Sequence, residues 1–390
     1  MQELPSPAGS HRGPGPYRVC VRCIMDTSDP GIRFDPEGVC SHCHGYAETA
    51  ARLVHGGEEG RRQLEAMVAA IRASGRGKPY DCVMGVSGGV DSTYLAYIAK
   101  SLGLRPLAVH LDNGWNSELA VSNIEKVLNT LGIDLYTEVL DWEEFRDLQL
   151  SFLRASVPDA EIPTDHAISA TVNRVAAERG IAYIISGDNV VTEGILPVSW
   201  TYGVWDWKYI SAVHRQFGSA RLAGFPHYSL ARLFYYKSVR KIRTVRPLNY
   251  VPYVKGDVMR VLEEKLGWKY YGGKHYESIY TRFFQGYILP AKFGIDKRKA
   301  HLSTLICSGQ MTREEALAEM LCDRYAGELQ RSDREYVIKK LALTPDEFAA
   351  IMALPARSYR EFPNSSATLT RALGLVRRAR RLRLLPAAQV

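Results

Sequence analysis

Residues 87–92 read Ser-Gly-Gly-Val-Asp-Ser and form a glycine-rich turn between an apolar run and a helical pattern. The run at 80–86 is typical of a buried parallel strand, and apolar residues between 95 and 102 recur at helical spacing. A strand, a tight turn and a helix in this order gather backbone N–H groups and the positive end of a helix dipole at one point. Gly88 and Gly89 have no Cβ that would keep a phosphate from the backbone. The turn therefore predicts an anion site, with an ordinary tight connection as the alternative.

Strand and helix patterns continue to alternate after this turn. Such alternation predicts an α/β fold with a doubly wound parallel sheet, in which ligands bind at the carboxyl ends of the strands. The predicted strands lie at 106–113, 135–140 and 182–186, and the predicted helices at 118–131, 142–153 and 166–178.

Small or polar residues follow three of the predicted strands. They are the turn itself, the pair Asp112 and Asn113, and the stretch Gly187-Asp188-Asn189. Because the carboxyl ends of parallel strands meet at one edge of a sheet, we expect these residues to share one crevice. Asp112 and Asn113 are candidates for adenosine contacts, with simple turn formation by Asp-Asn-Gly as the alternative.

Four of the seven cysteines occur in two Cys-x-x-Cys pairs, Cys20 with Cys23 and Cys40 with Cys43. In a chain without a secretion signal, this spacing favours a tetrahedral structural Zn²⁺ site over disulfides. Turn signals at 29–31 and 35–38 enclose a predicted short strand at 32–34, as in a zinc-ribbon hairpin. Four thiolates leave no open position on the metal, so the zinc would be structural. A redox-active pair and an iron–sulfur cluster are the alternatives.

The glycine-rich turn resembles the Ser-Gly-Gly-x-Asp-Ser signature of the PP-loop ATPases and lacks the Gly-Lys-Ser/Thr of a Walker A loop. The resemblance implies a PP-loop (HUP-like) ATP-binding domain that grips pyrophosphate while an acceptor attacks the α-phosphate. The implied grip consists of Ser87, Gly88, Gly89, Val90, Asp91 and Ser92.

Residues 187–193 resemble a stretch of the NAD synthetases whose last carboxylate helps to hold ATP-bound magnesium. This resemblance implies that Glu193 and Asp91 are Mg²⁺ ligands and that Gly187 and Asn189 contact ATP. For Glu193 the alternative is a first-turn helix acid that the helix dipole stabilises.

Basic, aromatic and acidic residues are mixed at 272–278 and 296–301. PP-loop enzymes commonly place a C-terminal Lys over the pyrophosphate. The resemblance therefore implies that Lys274 and Lys297 are catalytic and that Arg298 binds phosphate through its guanidinium fork. A solvated charged surface is the alternative for both segments.

Over about residues 18–320 the chain resembles the N-acetyl sugar amidotransferase family. Five stretches carry the resemblance: residues 20–30, the second cysteine pair, the turn at 87–92, residues 111–117 and residues 274–311. It implies that an acetamido oxygen is adenylylated and that ammonia then gives an acetamidino group, AMP and pyrophosphate. The chain has no Gly-x-Cys-x-Gly glutaminase elbow. The implied partners are thus a HisH-like glutaminase, with or without a HisF-like protein, and a nucleotide-sugar substrate.

The formal net charge of +8 suits an anionic ligand such as a nucleotide-sugar and would also suit RNA. No long apolar stretch or signal peptide is evident, so we expect a cytoplasmic protein without a membrane span. Arginines crowd residues 377–383, where a solvated tail or a docking patch for an acidic partner or a membrane is expected.

The predicted organisation has four parts: a flexible N-terminus (1–17), a zinc ribbon (18–50), a PP-loop ATP-binding domain (51–265) and a mainly helical C-terminal region (266–390). Three other functions stay open at this point. They are tRNA thiolation, for which nucleic acid would be the partner and which we consider less favoured, thioamide or amidine formation on a small natural product, and a non-catalytic scaffold.

Overall fold

The computed structural model describes residues 16–322, 325 and 327–371. Most of the predicted flexible N-terminus and the arginine-rich tail therefore lie outside the described residues. At the centre is a sheet of five strands: β1 (Cys82–Gly85), β2 (Pro106–Asp112), β3 (Asp134–Val139), β4 (Tyr183–Ile185) and β5 (Arg243–Val245). All neighbouring strands are parallel, in the order β3-β2-β1-β4-β5. This confirms the predicted doubly wound parallel sheet.

Nine helices lie between residues 41 and 239 of the described chain, and several of them cover the two faces of the sheet. Ser117 and Asp141 begin two of them by accepting the N–H groups of Ala120 and Glu144. Their bounds are α1 (Ser41–Leu53), α2 (Gly57–Ser74), α3 (Val90–Ser101), α4 (Glu118–Leu131), α5 (Trp142–Ala155), α6 (Ile162–Glu178), α7 (Val190–Glu193), α8 (Trp207–Phe217) and α9 (Leu230–Phe234), which continues as a π-helical turn (Tyr235–Val239).

The C-terminal region is helical, as predicted. Short 3-10 turns at Pro247–Tyr250 and Tyr359–Glu361 flank it in the sequence. Its helices are α10 (Lys255–Leu266), α11 (Ile279–Phe283), which continues as a π-helix (Phe284–Phe293), α12 (Lys297–Cys307), α13 (Arg313–Leu321), α14 (Glu328–Lys340) and α15 (Pro345–Ala353).

Alternating residues of β1 pack on opposite faces of the sheet. Met84 packs in the cluster formed with α3, α4 and α10, whereas Val83 packs with residues of α6 on the other face. A strand that is covered on both faces must be apolar throughout, which explains the continuous apolar run in the sequence. The strand order reverses between β1 and β4, and a crevice at the carboxyl ends of these strands is the expected ligand site of such a sheet.

The four-cysteine unit (residues 19–43) packs against helix α12 instead of standing apart. The Lys299 ammonium donates to the fully buried Asp26 carboxylate, and the backbone N–H of Ile24 donates to Ser303 Oγ at 3.2 Å. The strand predicted at 32–34 is wrong, because only an isolated bridge joins Phe34 to Cys40. The cysteine cluster and these contacts, and not a ladder of strands, hold the segment in place.

Several element bounds differ from the predicted ones. The helix expected from 166 begins at Ile162, and the edge strand β5 was not predicted. A run as short as Arg243–Val245, two of whose three residues are exposed, has too little apolar alternation to identify a strand. None of the described helices has the length and apolar character that crossing a bilayer requires.

A buried ion pair fastens α14 to α11. Arg282 donates through Nε and Nη2 to the two carboxylate oxygens of Asp333, each at 2.7 Å, and the Tyr325 hydroxyl donates to the same carboxylate. Both charged side chains are nearly inaccessible to solvent. Two parallel hydrogen bonds fix the geometry as well as the charge, so this pair positions the C-terminal helices.

We expect Asp333→Ala to lower the free energy of unfolding by about 3–5 kcal/mol, because it leaves the Arg282 guanidinium buried without its partner. Urea unfolding followed by circular dichroism measures the change. The matched control Asp346→Ala, on an exposed first helical turn, should cost less than about 1 kcal/mol. Equal losses for the two variants would contradict a structural role of the pair.

Candidate functional site

The turn at 87–92 joins the carboxyl end of β1 to the first turn of α3. Gly88 has a φ of +80°, and a Cβ at this position would lie 2.9 Å from the carbonyl oxygen of Ala120. The Gly88 carbonyl accepts hydrogen bonds from Trp268 Nε1, at 2.9 Å, and from the Tyr271 hydroxyl. Since the first amides of a helix have no helical acceptor, the turn held in this way offers N–H groups to an anion.

The Asp91 carboxylate lies in the recess beside this turn. Its Oδ1 accepts hydrogen bonds from Asn189 Nδ2, at 3.0 Å, and from the Tyr253 hydroxyl. Burial, and then the nearby negative charge of Glu193, raise the pKa of Asp91. Asn189 also caps α7 through its Oδ1, so one side chain joins the carboxyl ends of β1 and β4.

Glu193 and Lys274 form an ion pair next to Asp91, with Oε1 and Nζ 3.1 Å apart. Burial acts to raise the pKa of Glu193, but the charges of Lys274 and His275 outweigh it and hold this pKa below its ordinary value. Glu193 is therefore an ionised carboxylate. The predicted residues Asp91, Glu193 and Lys274 are brought together.

The donors at this point suit Mg²⁺ and the phosphates of ATP. Asp91 and Glu193 offer carboxylate oxygens, which Mg²⁺ prefers, and a Cβ on Gly89 would lie only 3.2 Å from Glu277 Oε1. The carboxylates of Asp91, Glu193 and Glu277 around this turn would repel a polyphosphate unless a divalent cation and Lys274 neutralised their charge. The residues therefore fit a magnesium–nucleotide complex.

A second group of charges surrounds Lys297, at the first turn of α12. Lys297 Nζ lies 3.2 Å from Glu161 Oε2, and Gln285 Nε2 donates to the same oxygen at 2.8 Å. Burial acts to lower the pKa of Lys297, but Glu161 and Asp159 outweigh it and raise this pKa. Lys297 is thus a permanent cation with a carboxylate as its immediate partner.

Asp165 lies beside this group, close enough for the charges of Glu161 and Lys297 to act on it. Burial, followed by the charges of Glu161 and Asp159, raises the pKa of Asp165 to about 8. The residue is nevertheless exposed. A carboxyl group with a pKa near neutrality is suited to proton transfer.

His301, one turn after Lys297 on α12, connects the two charged groups. Its pKa is well below the ordinary value because of burial and of the nearby charges of Lys274, His275 and Lys297. Its ring centroid lies 5.6 Å from that of His275. His301 is therefore a neutral side chain on which the charges of both Lys274 and Lys297 act.

The other predicted site residues form local turns, pack against a helix or pair with a neighbouring acid. Asp112 Oδ1 accepts the N–H of Gly114 at 2.9 Å, and Asn113 Oδ1 accepts that of Trp115 at 3.1 Å, so both side chains form local turns. Gly187 packs against the first turn of α3, since a Cβ there would lie 3.2 Å from the Asp91 carbonyl carbon. Arg298 is half-exposed and pairs with Asp296 at 2.7 Å.

Sequence reasoning missed several cleft residues. Tyr253 and the acids around Lys297 were not predicted, and His301 was noted only as part of a mixed segment. The acids occur within seven residues at the start of α6, where first-turn acids are expected for helix stability alone. Only the folded chain distinguishes a capping acid from one that lines a cleft. The missed acids are Asp159, Glu161 and Asp165.

The four cysteines of the two pairs converge in the fold. All four Sγ atoms are buried and lie within 4.8 Å of one another, with 3.9 Å between Cys20 and Cys43 and 3.6 Å between Cys23 and Cys40. Thiolates around one tetrahedral zinc at about 2.3 Å require S–S separations of this size. A four-iron cluster would hold its thiolates farther apart. The site thus fits a single metal ion such as Zn²⁺.

Backbone groups and a fifth thiol surround these sulfurs. The N–H of Cys40 lies 3.2 Å from Cys20 Sγ, a contact that stabilises a thiolate ligand. Cys307 Sγ, at the end of α12, lies 3.7 Å from Cys43 Sγ. His42 Nε2 donates to the Asp29 carboxylate, 2.7 Å away, so His42 is engaged outside the four-cysteine cluster. The metal site therefore touches the helix that carries Lys297 and His301.

A comparison with protein-family models decides what the C-terminal region resembles. Residues 277–377 match the model described as "LPS biosynthesis protein WbpG-like, C-terminal domain". This match confirms, over that segment, the resemblance to a family of lipopolysaccharide biosynthesis. The WbpG-like segment begins at Glu277 beside the anion-binding turn and includes all of α12, so it contributes Lys297 and His301 to the cleft. Among curated proteins no sequence matches the chain.

Two solved structures are similar to parts of the chain. One is a predicted subunit of a tRNA methyltransferase from Methanocaldococcus jannaschii, at 17% identity and a TM-score of 0.28, covering 47% of this chain and 75% of that one. The other is the U34-tRNA thiolase NcsA from Methanococcus maripaludis with its [4Fe-4S] cluster, at 16% identity and a TM-score of 0.31, covering 80% and 92%. At these TM-scores neither likeness supports an inference about function.

We expect Cys40→Ser to lower the bound metal from about one zinc per chain and to destabilise the protein, since a structural zinc site contributes directly to folding. Metal analysis and thermal unfolding measure both effects. The matched control Cys322→Ser, on an exposed cysteine outside the cluster, should change neither. Full zinc content in Cys40→Ser would contradict the assignment of this ligand.

We expect Asp165→Asn to stabilise the protein, and more so as the pH rises from 5 to 8. An Asp whose pKa is about 8 when folded and about 3.9 when unfolded binds more protons in the folded state, so its ionisation lowers stability across this window. Melting temperatures of both proteins at pH 5 and pH 8 measure the difference. A difference that shrinks towards pH 8 would contradict the raised pKa.

Proposed function

We propose that this protein is a sugar-modifying enzyme, an ATP-dependent, AMP-forming amidotransferase that converts an acetamido group into an acetamidino group. The observation that carries the proposal is that Asp91, Glu193 and Lys274 lie together beside the glycine-rich turn, next to Glu277, the first residue of the WbpG-like segment. The described WbpG-like family belongs to lipopolysaccharide biosynthesis, which supports a sugar substrate.

In the first step the amide oxygen of the sugar attacks the α-phosphate of ATP and pyrophosphate leaves. The amides of the turn at 87–92 hold the departing phosphates, and Lys274 neutralises their charge. Asp91 and Glu193 would hold Mg²⁺, which supplies charge stabilisation to the leaving group when bound. No covalent attachment to the protein is needed, so positioning and exclusion of water are the main contributions of the chain.

In the second step ammonia attacks the carbon of the adenylylated amide and AMP leaves. Ammonia in neutral water is largely ammonium, so the attacking nitrogen must lose a proton. The acidic group around Lys297 suits this step, because the carboxylate of Glu161 attracts a cation and Asp165, whose pKa is about 8, takes up a proton near neutral pH. We assign Asp165 the role of proton acceptor. His301 is an uncharged side chain between the phosphate-binding residues and the acidic group around Lys297.

Ammonia is proposed to come from a separate HisH-like glutaminase, with or without a HisF-like protein. The cysteines outside the metal cluster do not suit amide hydrolysis. Cys82 is fully buried in β1, and burial raises the pKa of its thiol to about 12. Cys307 touches the metal cluster and Cys322 lies outside a nucleophile elbow. A thiol held protonated in a strand is no nucleophile.

The test is incubation of the purified protein with ATP, Mg²⁺, ammonium chloride and UDP- or CMP-linked diacetamido sugars. Ammonium-dependent AMP and a sugar product lighter by one mass unit support the proposal, since NH replaces O. Absence of AMP with every such sugar overturns it. Sulfur incorporation into tRNA by the same protein would instead assign the thiolase function.

We expect Asp91→Asn to lower the rate of AMP formation by at least about 100-fold, because it removes a charged ligand of the cation that neutralises the phosphates. Circular dichroism should show an intact fold. The matched control Asp257→Asn, on the exposed first turn of α10, should keep the wild-type rate. An Asp91→Asn protein of wild-type activity would mean that the site is wrongly assigned.

A further inference from the structure

A long internal part of the chain is basic and free of acidic residues. Residues 207–256 contain ten Lys and Arg and no Asp or Glu. The chain has 50 basic and 42 acidic residues, so the remaining 340 residues contain 40 basic and 42 acidic ones. The segment therefore contributes +10, and the rest of the chain, which includes the arginine-rich residues 377–383, sums to −2. A distribution of this kind indicates a surface for an anionic partner.

The densest part of the segment, residues 230–246, forms one surface at the edge of the sheet. Helix α9 and its π-helical continuation return along the edge strand β5, where Lys237 Nζ donates to Thr244 Oγ1 at 3.0 Å. The backbone N–H of Ile242 donates to the Tyr236 carbonyl at 3.0 Å. We call residues 230–246 the basic edge. Its cations are Arg232, Lys237, Arg240, Lys241, Arg243 and Arg246.

Few carboxylates of the protein pair with these positive charges. Of the six cations, Arg246 alone forms an ion pair within the described residues, with Asp188 at 3.5 Å. Arg232 donates to a tyrosine hydroxyl and Arg240 to a backbone carbonyl. Lys237 has a pKa lowered by burial and by the nearby Arg246, so like charges lie close together. Cations held together without acids are complementary to an anionic surface.

Apolar side chains project between these cations. Phe234 is 67% exposed, Val239 60% and Tyr235 38%, although such residues are usually buried. A lipid interface accepts aliphatic and aromatic side chains alike, whereas single-stranded nucleic acid stacks on aromatic rings. The aliphatic Val239 among the exposed residues favours lipid.

We propose that the basic edge docks the protein peripherally on an anionic phospholipid surface, with Phe234 and Val239 entering the interface. Each basic residue near such a surface strengthens binding through its charge, and exposed apolar groups add to it. Arg246 pairs with Asp188 just after β4, so docking brings the carboxyl-end cleft close to the membrane. This inference does not depend on the proposed chemistry.

Flotation of the full chain with vesicles tests the proposal. Vesicles of phosphatidylcholine alone are compared with vesicles that also contain phosphatidylglycerol, at low salt and at about 0.5 M NaCl. We expect salt-sensitive binding to the anionic vesicles alone. Lys241→Glu with Arg243→Glu should weaken it at least about tenfold, and Phe234→Ser with Val239→Ser should weaken it severalfold. Circular dichroism verifies that each variant is folded.

The matched control reverses two exposed arginines elsewhere, Arg76→Glu with Arg331→Glu, and should bind as the wild type does. Three results would overturn the proposal: no binding of the wild type to anionic vesicles, equal weakening by the control, or binding that the apolar pair does not affect. Retention of labelled tRNA in place of vesicles would also overturn it and would identify the basic edge as a nucleic-acid surface.

Discussion

The buried ion pair between Lys299 and Asp26 joins the four-cysteine unit to helix α12, and the cleft depends on this junction. Asp26 is fully buried, and breaking such a pair costs about 3–5 kcal/mol because a charge is left without its partner. Arg313 strengthens the junction by donating to the carbonyls of Cys23 and Cys20, at 3.1 and 3.3 Å. The metal unit is therefore a support that fixes the helix from which Lys297 and His301 reach the cleft.

Electrostatics divides the cleft into two ends with different tasks. At one end the ionised Glu193 and Lys274 lie beside the turn that suits phosphates, and at the other Asp165, whose pKa is raised to about 8, lies near Lys297. A neutral His301 between them keeps a further positive charge from the centre. The proposed two-step reaction would use this separation, because leaving phosphates and an incoming cationic nitrogen require opposite charges around them.

Much of this arrangement was predictable from local pattern. The Ser-Gly-Gly-Val-Asp-Ser turn and the paired cysteines are short segments whose residue types serve one purpose, so their sites follow from spacing. Lys297 shows the limit of such reasoning. It was expected over pyrophosphate, and its described contact is Glu161, 136 residues away in sequence. Tyr253 likewise reaches Asp91 across 162 residues, a distance that no local pattern encodes.

The sequence by itself determined the parallel α/β fold, the glycine-rich turn after β1, the four-cysteine cluster and the acid-free basic segment 207–256. Each of these features depends on residue identity within a short stretch or on composition. Both can be determined from the sequence without knowing which residues are in contact. The tertiary structure alone decided which acids line the cleft, which lysine faces which carboxylate, and that the metal unit supports α12. Those features arise when distant segments pack together, and burial and neighbouring charges then set the pKa of Asp91 and of Asp165.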